Sequence, residues 1–336
     1  MTSSHPIIDI HCHTAGIGAG GSGCFVSPSL CTNWRYKFFI RAFGVTQTEL
    51  EQHGDQLILE RISHSLATSQ RVSKAVILAM DGVIRANGEL DREHTEIYIP
   101  NDFLARELRG YPNLLFGASI NPYRHDAIQR LEHAVSDGAV LLKWLPSVQH
   151  IDPADERLIP FYLKLKQLNL PLLTHTGNEE SFTWKRDELA DPARLSLPLS
   201  LGTTVIAAHA ASNGKNNGEA NFKRLLPLFS EFPNLFADIS SLTQLNRIGH
   251  LPRLLQHTHL HSRLLYGTDM PILQTGLTSP WFHAWRLKPT TLARTLRTRN
   301  PWDRDVALKQ ALGMPPELLG NCATVLKIHP SDLEKG

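Results

Sequence analysis

Eight short apolar runs, helical periodicity between them, and metal-ligand side chains at the ends of several runs predict an α/β chain folded as a (β/α)8 TIM barrel. The runs are rich in Val, Ile, Leu and Phe and end at turn residues, the pattern of strands buried on both faces. They fall at 7–13, 74–82, 114–122, 139–147, 171–177, 204–210, 235–241 and 263–269. From the second onward their starts lie 25 to 40 residues apart, the length that a strand, a helix and two loops require.

The intervening segments read as helices. In 126–136, Ile128, Leu131 and Val135 share a face; in 155–168, Leu158, Phe161, Tyr162, Leu165 and Leu168 do so. Segment 221–232 repeats the pattern with Phe222, Leu225, Leu226 and Phe229, and Pro227 predicts a kink or a late start. Two stretches exceed the basic unit. Residues 14–73, glycine-rich and then aromatic and basic, predict a long insertion after strand 1 that acts as a lid over one mouth of the barrel. Residues 270–336 predict a C-terminal helical extension whose last helix packs across the barrel. No repeat or linker interrupts the chain, so 1–336 is expected to be a single domain.

Composition narrows the function. The 336 residues carry 34 Lys and Arg against 32 Asp and Glu, a net charge of +2 that is too balanced to imply nucleic acid or membrane as partner. No apolar run approaches the roughly 18 residues that span a bilayer, and residues 1–6 lack a basic and an apolar region, so a cytoplasmic protein is expected. Cys12, Cys24, Cys31 and Cys322 include no CxxC pair and make neither a disulfide framework nor a zinc ribbon. The expected partner is a small-molecule substrate, with no nucleic acid and no membrane; a homo-oligomer is compatible with the sequence.

Histidine is abundant, with 17 in the chain, and its placement carries the chemistry. His11 and His13 close the first strand, Lys143 lies late in the fourth, and His175, His209 and Asp269 close the fifth, sixth and eighth. Alternate residues of a strand share a face, so His11 and His13 point one way and Cys12 the other. In a barrel all six groups converge on the C-terminal mouth, where barrel enzymes place their reacting groups. Imidazoles with a carboxylate favour a divalent metal, Zn2+ first, with Mn2+, Fe2+ or Co2+ compatible. Singly each has a plainer reading, as a hydrogen-bonded histidine, a capping lysine or a helix-capping aspartate; together at strand ends they point to a metal site.

In the order HCH at 11–13, LLKW at 141–144, LLTHTG at 172–177, IAAHA at 206–210 and YGTDMP at 266–271, the chain resembles the amidohydrolase superfamily, in particular its metal-dependent hydrolase branch related to amidohydrolase-2. The resemblance covers about residues 7–330. It implies that His11 and His13 bind one metal and that His175 binds a second or completes the first. It also implies that His209 is a ligand or an acid/base residue, and that Asp269 contacts the metal and takes the proton of the attacking water. In binuclear members of the family a strand-four lysine is carbamylated and bridges two metals; Lys143 matches that position, and mononuclear members lack the bridge. The activity implied is hydrolysis of a small ester, lactone, amide or phosphoester. Mononuclear zinc-type decarboxylation and a catalytically silent metal-binding barrel are the alternatives.

Glu179 and Asn178 after strand five, Asp81 after strand two and Asn121 after strand three are the candidate substrate contacts. Asp238, Ser240 and Gln244 at strand seven either join them or cap turns. Trp34, Arg35, Tyr36 and Lys37 place an aromatic and basic cluster in the lid. Three rival signals are weaker. GIGAGG at 16–21 matches a dinucleotide fingerprint, but the first acidic residue after it is Glu49 and no helical pattern follows; a flexible lid loop suits it better. The arginines of 286–304 read as a solvated face. Cys24 and Cys31 have no sequence-visible base.

Overall fold

Each of the eight apolar runs forms a strand in the computed structural model, which describes residues 6–328 and, within them, leaves the side chains of Trp34 and Arg35 outside the described set. The strands are β1 (Ile7–His13), β2 (Val72–Leu78), β3 (Leu114–Ala118), β4 (Ala139–Trp144), β5 (Leu172–Thr174), β6 (Val205–Ala207), β7 (Leu235–Asp238) and β8 (Leu264–Leu265). All pair in parallel in chain order. The sheet closes through β1: Ile10 N donates to Tyr266 O at 3.2 Å, Asp269 N to His11 O at 2.8 Å and His13 N to Met270 O at 2.9 Å. The result is the (β/α)8 TIM barrel, with strand residues such as Ile8, Val76, Leu141, Leu172, Ile206 and Leu235 fully buried between core and helices.

The predicted helices are present as Ala127–Ser136, Ile159–Leu168 and Asn221–Glu231. Pro227 neither delays nor ends the last of them, since the helix runs through it with Phe222, Leu225, Leu228 and Phe229 buried. A bulge interrupts β1, where Asp9 pairs with Ala75 but Cys12 with Ile77. Such an extra residue re-aims side chains on either side of it. Asp9 accepts from Thr268 Oγ1 at 2.5 Å and from the indole of Trp302 at 2.9 Å, tying β1 to the helix Pro301–Ala311. At the other end of the extension, Cys322 is buried against Tyr266, whose backbone N lies 3.2 Å from its sulfur. Residues 329–336, part of the predicted extension, lie outside the described residues.

The insertion is shorter than the sequence suggests. Gln56–Ala67 is the first barrel helix, burying Leu57, Ile58, Leu59, Ile62 and Leu66, so the added chain is 14–55. It contains the helices Pro28–Cys31, Trp34–Ala42 and Gln47–His53 and a short strand, Phe25–Val26, paired antiparallel with Ile97–Tyr98. Its glycine loop is anchored. The Asp55 carboxylate accepts from Ile17 N at 3.0 Å, Gly18 N at 2.9 Å and Ser22 Oγ at 2.5 Å. The amides that would cradle a phosphate already hold a carboxylate of the chain itself, which disposes of the dinucleotide signal and of a free-swinging loop. A Cβ on Gly16 would stand 2.7 Å from Asp55 Oδ2 and from Cys24, so glycine is required by close approach. Among the described residues no helix is long and apolar enough to cross a membrane.

Candidate metal centre and active site

The ends of β1, β4 and the loops after β5, β6 and β8 bring His11, His13, Lys143, His175, His209 and Asp269 to the C-terminal mouth. His11 Nε2 and His13 Nε2 are 3.1 Å apart, and Asp269 Oδ1 lies 3.5 Å from the first and 3.3 Å from the second. Donors about 2.0–2.1 Å from a tetrahedral cation stand about 3.4 Å from one another. The three atoms therefore form one face of such a coordination sphere, and the donor set fits a divalent cation. His175 Nε2 is buried without a hydrogen-bond partner, as a donor awaiting a cation would be. The His175 and His209 rings lie 5.2 Å apart, and His209 stacks on His11 at 5.0 Å. Lys143 Nζ donates to His11 Nε2 at 2.9 Å and, among the described residues, makes no ion pair.

Asp238 organises this cluster without joining the mouth. His11 Nδ1 donates to its Oδ2 at 2.7 Å, which fixes the tautomer and leaves the Nε2 lone pair for a cation. Its Oδ1 accepts from His209 N at 2.8 Å, Ser240 N at 3.0 Å and Ser240 Oγ at 2.5 Å, and Ser240 Oγ also meets His209 Nδ1 at 2.8 Å. His209 and Asp269 both occupy the left-handed backbone region, with φ of 56° and 64°. For a non-glycine residue that costs roughly 1–2 kcal/mol, and their backbone amides are pinned, His209 N to Asp238 and Asp269 N to His11 O at 2.8 Å. Ser241 Oγ donates to Asp269 Oδ2 at 2.5 Å, which turns Oδ1 toward the histidines.

Burial sets the charges. It drives the His11 imidazolium pKa down to about 4, with Lys143 adding to the effect and Asp238 opposing it. It lowers His175 too and takes His209 well below its ordinary value, so all three rings are neutral near pH 7. Burial lowers Lys143 to about 8 against the pull of Asp238, Asp269 and Glu179. For Asp269 burial opposes ionisation, but the surrounding imidazoles of His209, His13 and His11 hold its carboxyl well below the usual range. A stability profile follows. Unfolding returns His11 to about 6.5, so its neutral form contributes stability above that pH, lost as pH falls through about 4. Asp9, raised by burial to about 6 from 3.8, acts oppositely: its contribution is full below 3.8 and lost as pH rises through about 6. Three histidines outweigh one carboxyl, so the Tm of chelator-treated protein is expected to fall between pH 6.5 and pH 4; a flat or rising Tm would contradict this charge assignment.

The mouth opens into a cavity that Glu179 and Asn178 line. Glu179 Oε2 is 3.7 Å from His175 Nδ1, and Asn178 Oδ1 is buried without a partner. Asp81 and Asn121 are not brought there. Asp81 takes a bidentate pair from Arg124 at 2.7 and 2.6 Å, and Asn121 Nδ2 donates to Gly82 O and Gln149 O, so both knit the loops after β2 and β3. The insertion supplies Leu30, Tyr36, Phe39, Ile40 and Phe43 as an apolar wall, while Lys37 is exposed. Asp238, read from the sequence as a substrate contact or a turn cap, instead holds His11 and His209, and Arg247, which lines the cavity, escapes a reading of the sequence alone because it sits in a polar stretch that reads as surface. Of the thiols, Cys12, Cys24 and Cys322 are buried, burial pushes Cys24 up to about 12, and the half-buried Cys31 is likewise raised by burial.

Comparison with known proteins bears on the family and the fold. The sequence profile of a family described as amidohydrolase matches residues 8–301. No curated protein sequence matches significantly. Among solved structures, an uncharacterised TIM-barrel protein from Bordetella bronchiseptica has a TM-score of 0.57 at 17% identity, covering 91% of this chain and 99% of its own. The 5-carboxyvanillate decarboxylase LigW of Sphingomonas paucimobilis has a TM-score of 0.54 at 11% identity, covering 97% and 100%. A 5-carboxyvanillate decarboxylase of Novosphingobium aromaticivorans, solved with manganese, has a TM-score of 0.54 at 12% identity, covering 97% and 98%. At such identities the likeness shows the fold.

Proposed function

The chain belongs to the amidohydrolase family, and we propose that it is a metal-dependent hydrolase of a small ester, lactone, amide or phosphoester. The observation that carries this reading is the convergence of His11, His13 and Asp269 on one point, with Lys143 and the unpartnered His175 beside it. His11, His13 and Asp269 would hold one divalent cation, most simply Zn2+, and His175 would complete it or, with Lys143, hold a second. When bound, the cation lowers the pKa of water and polarises the scissile carbonyl or phosphoryl oxygen.

The remaining steps belong to side chains. Asp269 Oδ1 accepts the proton of the attacking water and returns it to the leaving group, while the Ser241 hydroxyl fixes Oδ2. Neutral His209, stacked on His11 and giving its Nδ1–H to Ser240, would present its Nε2 lone pair as a further ligand or a proton acceptor. A pKa near 8 gives Lys143 a reactive neutral fraction. Its Nζ can then bond to the carbon of CO2, release one N–H proton to solvent, and become an anionic oxygen ligand.

Metal content tests the proposal. Protein produced with Zn2+ or Mn2+ and bicarbonate is expected to hold two ions per chain, and Lys143→Ala one or none. One ion in both would make Lys143 a supporting residue, and no tightly held ion in either would overturn the reading. Decarboxylation is the second reading, favoured by the buried, cavity-lining Arg247, which suits a carboxylated substrate. CO2 release from carboxylated aromatics, set against acid release from lactones and esters, separates the two.

A further inference from the structure

Among the described residues, nine side chains leave a buried nitrogen or oxygen without a hydrogen-bond partner, and five of them, Thr14, Tyr36, His175, Asn178 and Arg247, line this one cavity. Arg247 is the extreme case. Only 7% of it is exposed, and both Nε and Nη1 are unpartnered. Among the described residues it makes no ion pair, although a buried guanidinium without one is strongly disfavoured.

The carboxylates nearest in charge do not meet that need. Asp238 is engaged by His11, His209 and Ser240, and Asp269 by Ser241 and the imidazoles. Glu180 accepts from Asn213 and Asn246, and Glu179 from Ser181 N. The partner missing from the chain is an acceptor that enters with the ligand. The coplanar N–H groups of a guanidinium, here with Nε and Nη1 unpartnered, match the oxygens of an oxyanion.

We infer that Arg247 is the specificity-determining residue of the cavity, binding a carboxylate or like oxyanion of the substrate, whose apolar body lies against Leu30, Tyr36, Phe39, Ile40 and Phe43. The inference rests on the reading of this cavity as the substrate site of the hydrolase. Its test measures binding without turnover, so either can fail alone.

The probes are benzenesulfonate, an oxyanion that ligates metals poorly, and its neutral isostere methyl phenyl sulfone, titrated calorimetrically into metal-loaded protein. Wild type is expected to bind the sulfonate on the order of tenfold more tightly than the sulfone. Arg247→Met should lose that preference and keep its affinity for the sulfone, which separates ligand contact from a merely structural role. Arg247→Gln serves the same purpose should the Met variant unfold. Equal affinities in wild type, absence of binding by both probes, or a preference that survives loss of the guanidinium would overturn the inference.

Discussion

Asp269→Asn is expected to lower kcat by about three orders of magnitude on any substrate the enzyme turns over, with a much smaller change in KM. The amide keeps the size of the side chain and one oxygen, which can take the place of Oδ1 while the Ser241 hydroxyl, 2.5 Å from Oδ2, turns to accept from the amide N–H. It cannot take a proton from water. The backbone at this position is left-handed, with φ of 64°, a region asparagine enters as readily as aspartate. Folding should therefore be spared, and the loss should appear in chemistry. A variant with unchanged kcat and a cation still bound would remove Asp269 from the proton path and pass that role to His209.

Asp238→Ala should act through a different quantity. Four hydrogen bonds converge on this fully buried carboxylate from His11, His209 N and Ser240. Removing it leaves those donors unsatisfied, at about 3 kcal/mol or more of stability. It also frees the His11 ring to rotate or change tautomer, so metal affinity should fall by about 10–100-fold. Denaturant titration and metal competition read the two effects separately. Asp238→Asn is the finer probe, since it keeps the volume but turns one acceptor into a donor facing His11 Nδ1. Stability and metal affinity both unchanged in Asp238→Ala would show that other groups hold the histidines.

Much of this was legible in the residues because strand order and strand ends are local properties. Runs such as IIDIHCH and AVLLKW announce buried strands by composition, and closure into a barrel then places their last residues at one mouth whatever the details. What could not be read depends on how turns after the strands are directed. Asp81 and Asn121 follow strands as His175 does, yet Arg124 and the carbonyls of Gly82 and Gln149 claim them. No periodicity distinguishes an aspartate that binds an arginine two loops away from one facing a cavity. Arg247 was hidden for the converse reason: its burial comes from tertiary packing around a short turn, Leu245–Arg247, in a stretch of otherwise polar character. The true start of the first barrel helix at Gln56 was masked by the helical insertion running directly into it.

The cavity draws its ligating groups from strand ends and its apolar wall from residues 14–55, stretches of chain that meet only in space. Sequence drift in Trp34–Ala42 can therefore change which molecules are admitted while the reacting groups stay fixed, and drift at the strand ends abolishes the reaction whatever is admitted. Two descendants of one such barrel could come to feed on different compounds with the same chemistry, the difference between them confined to a single helical patch.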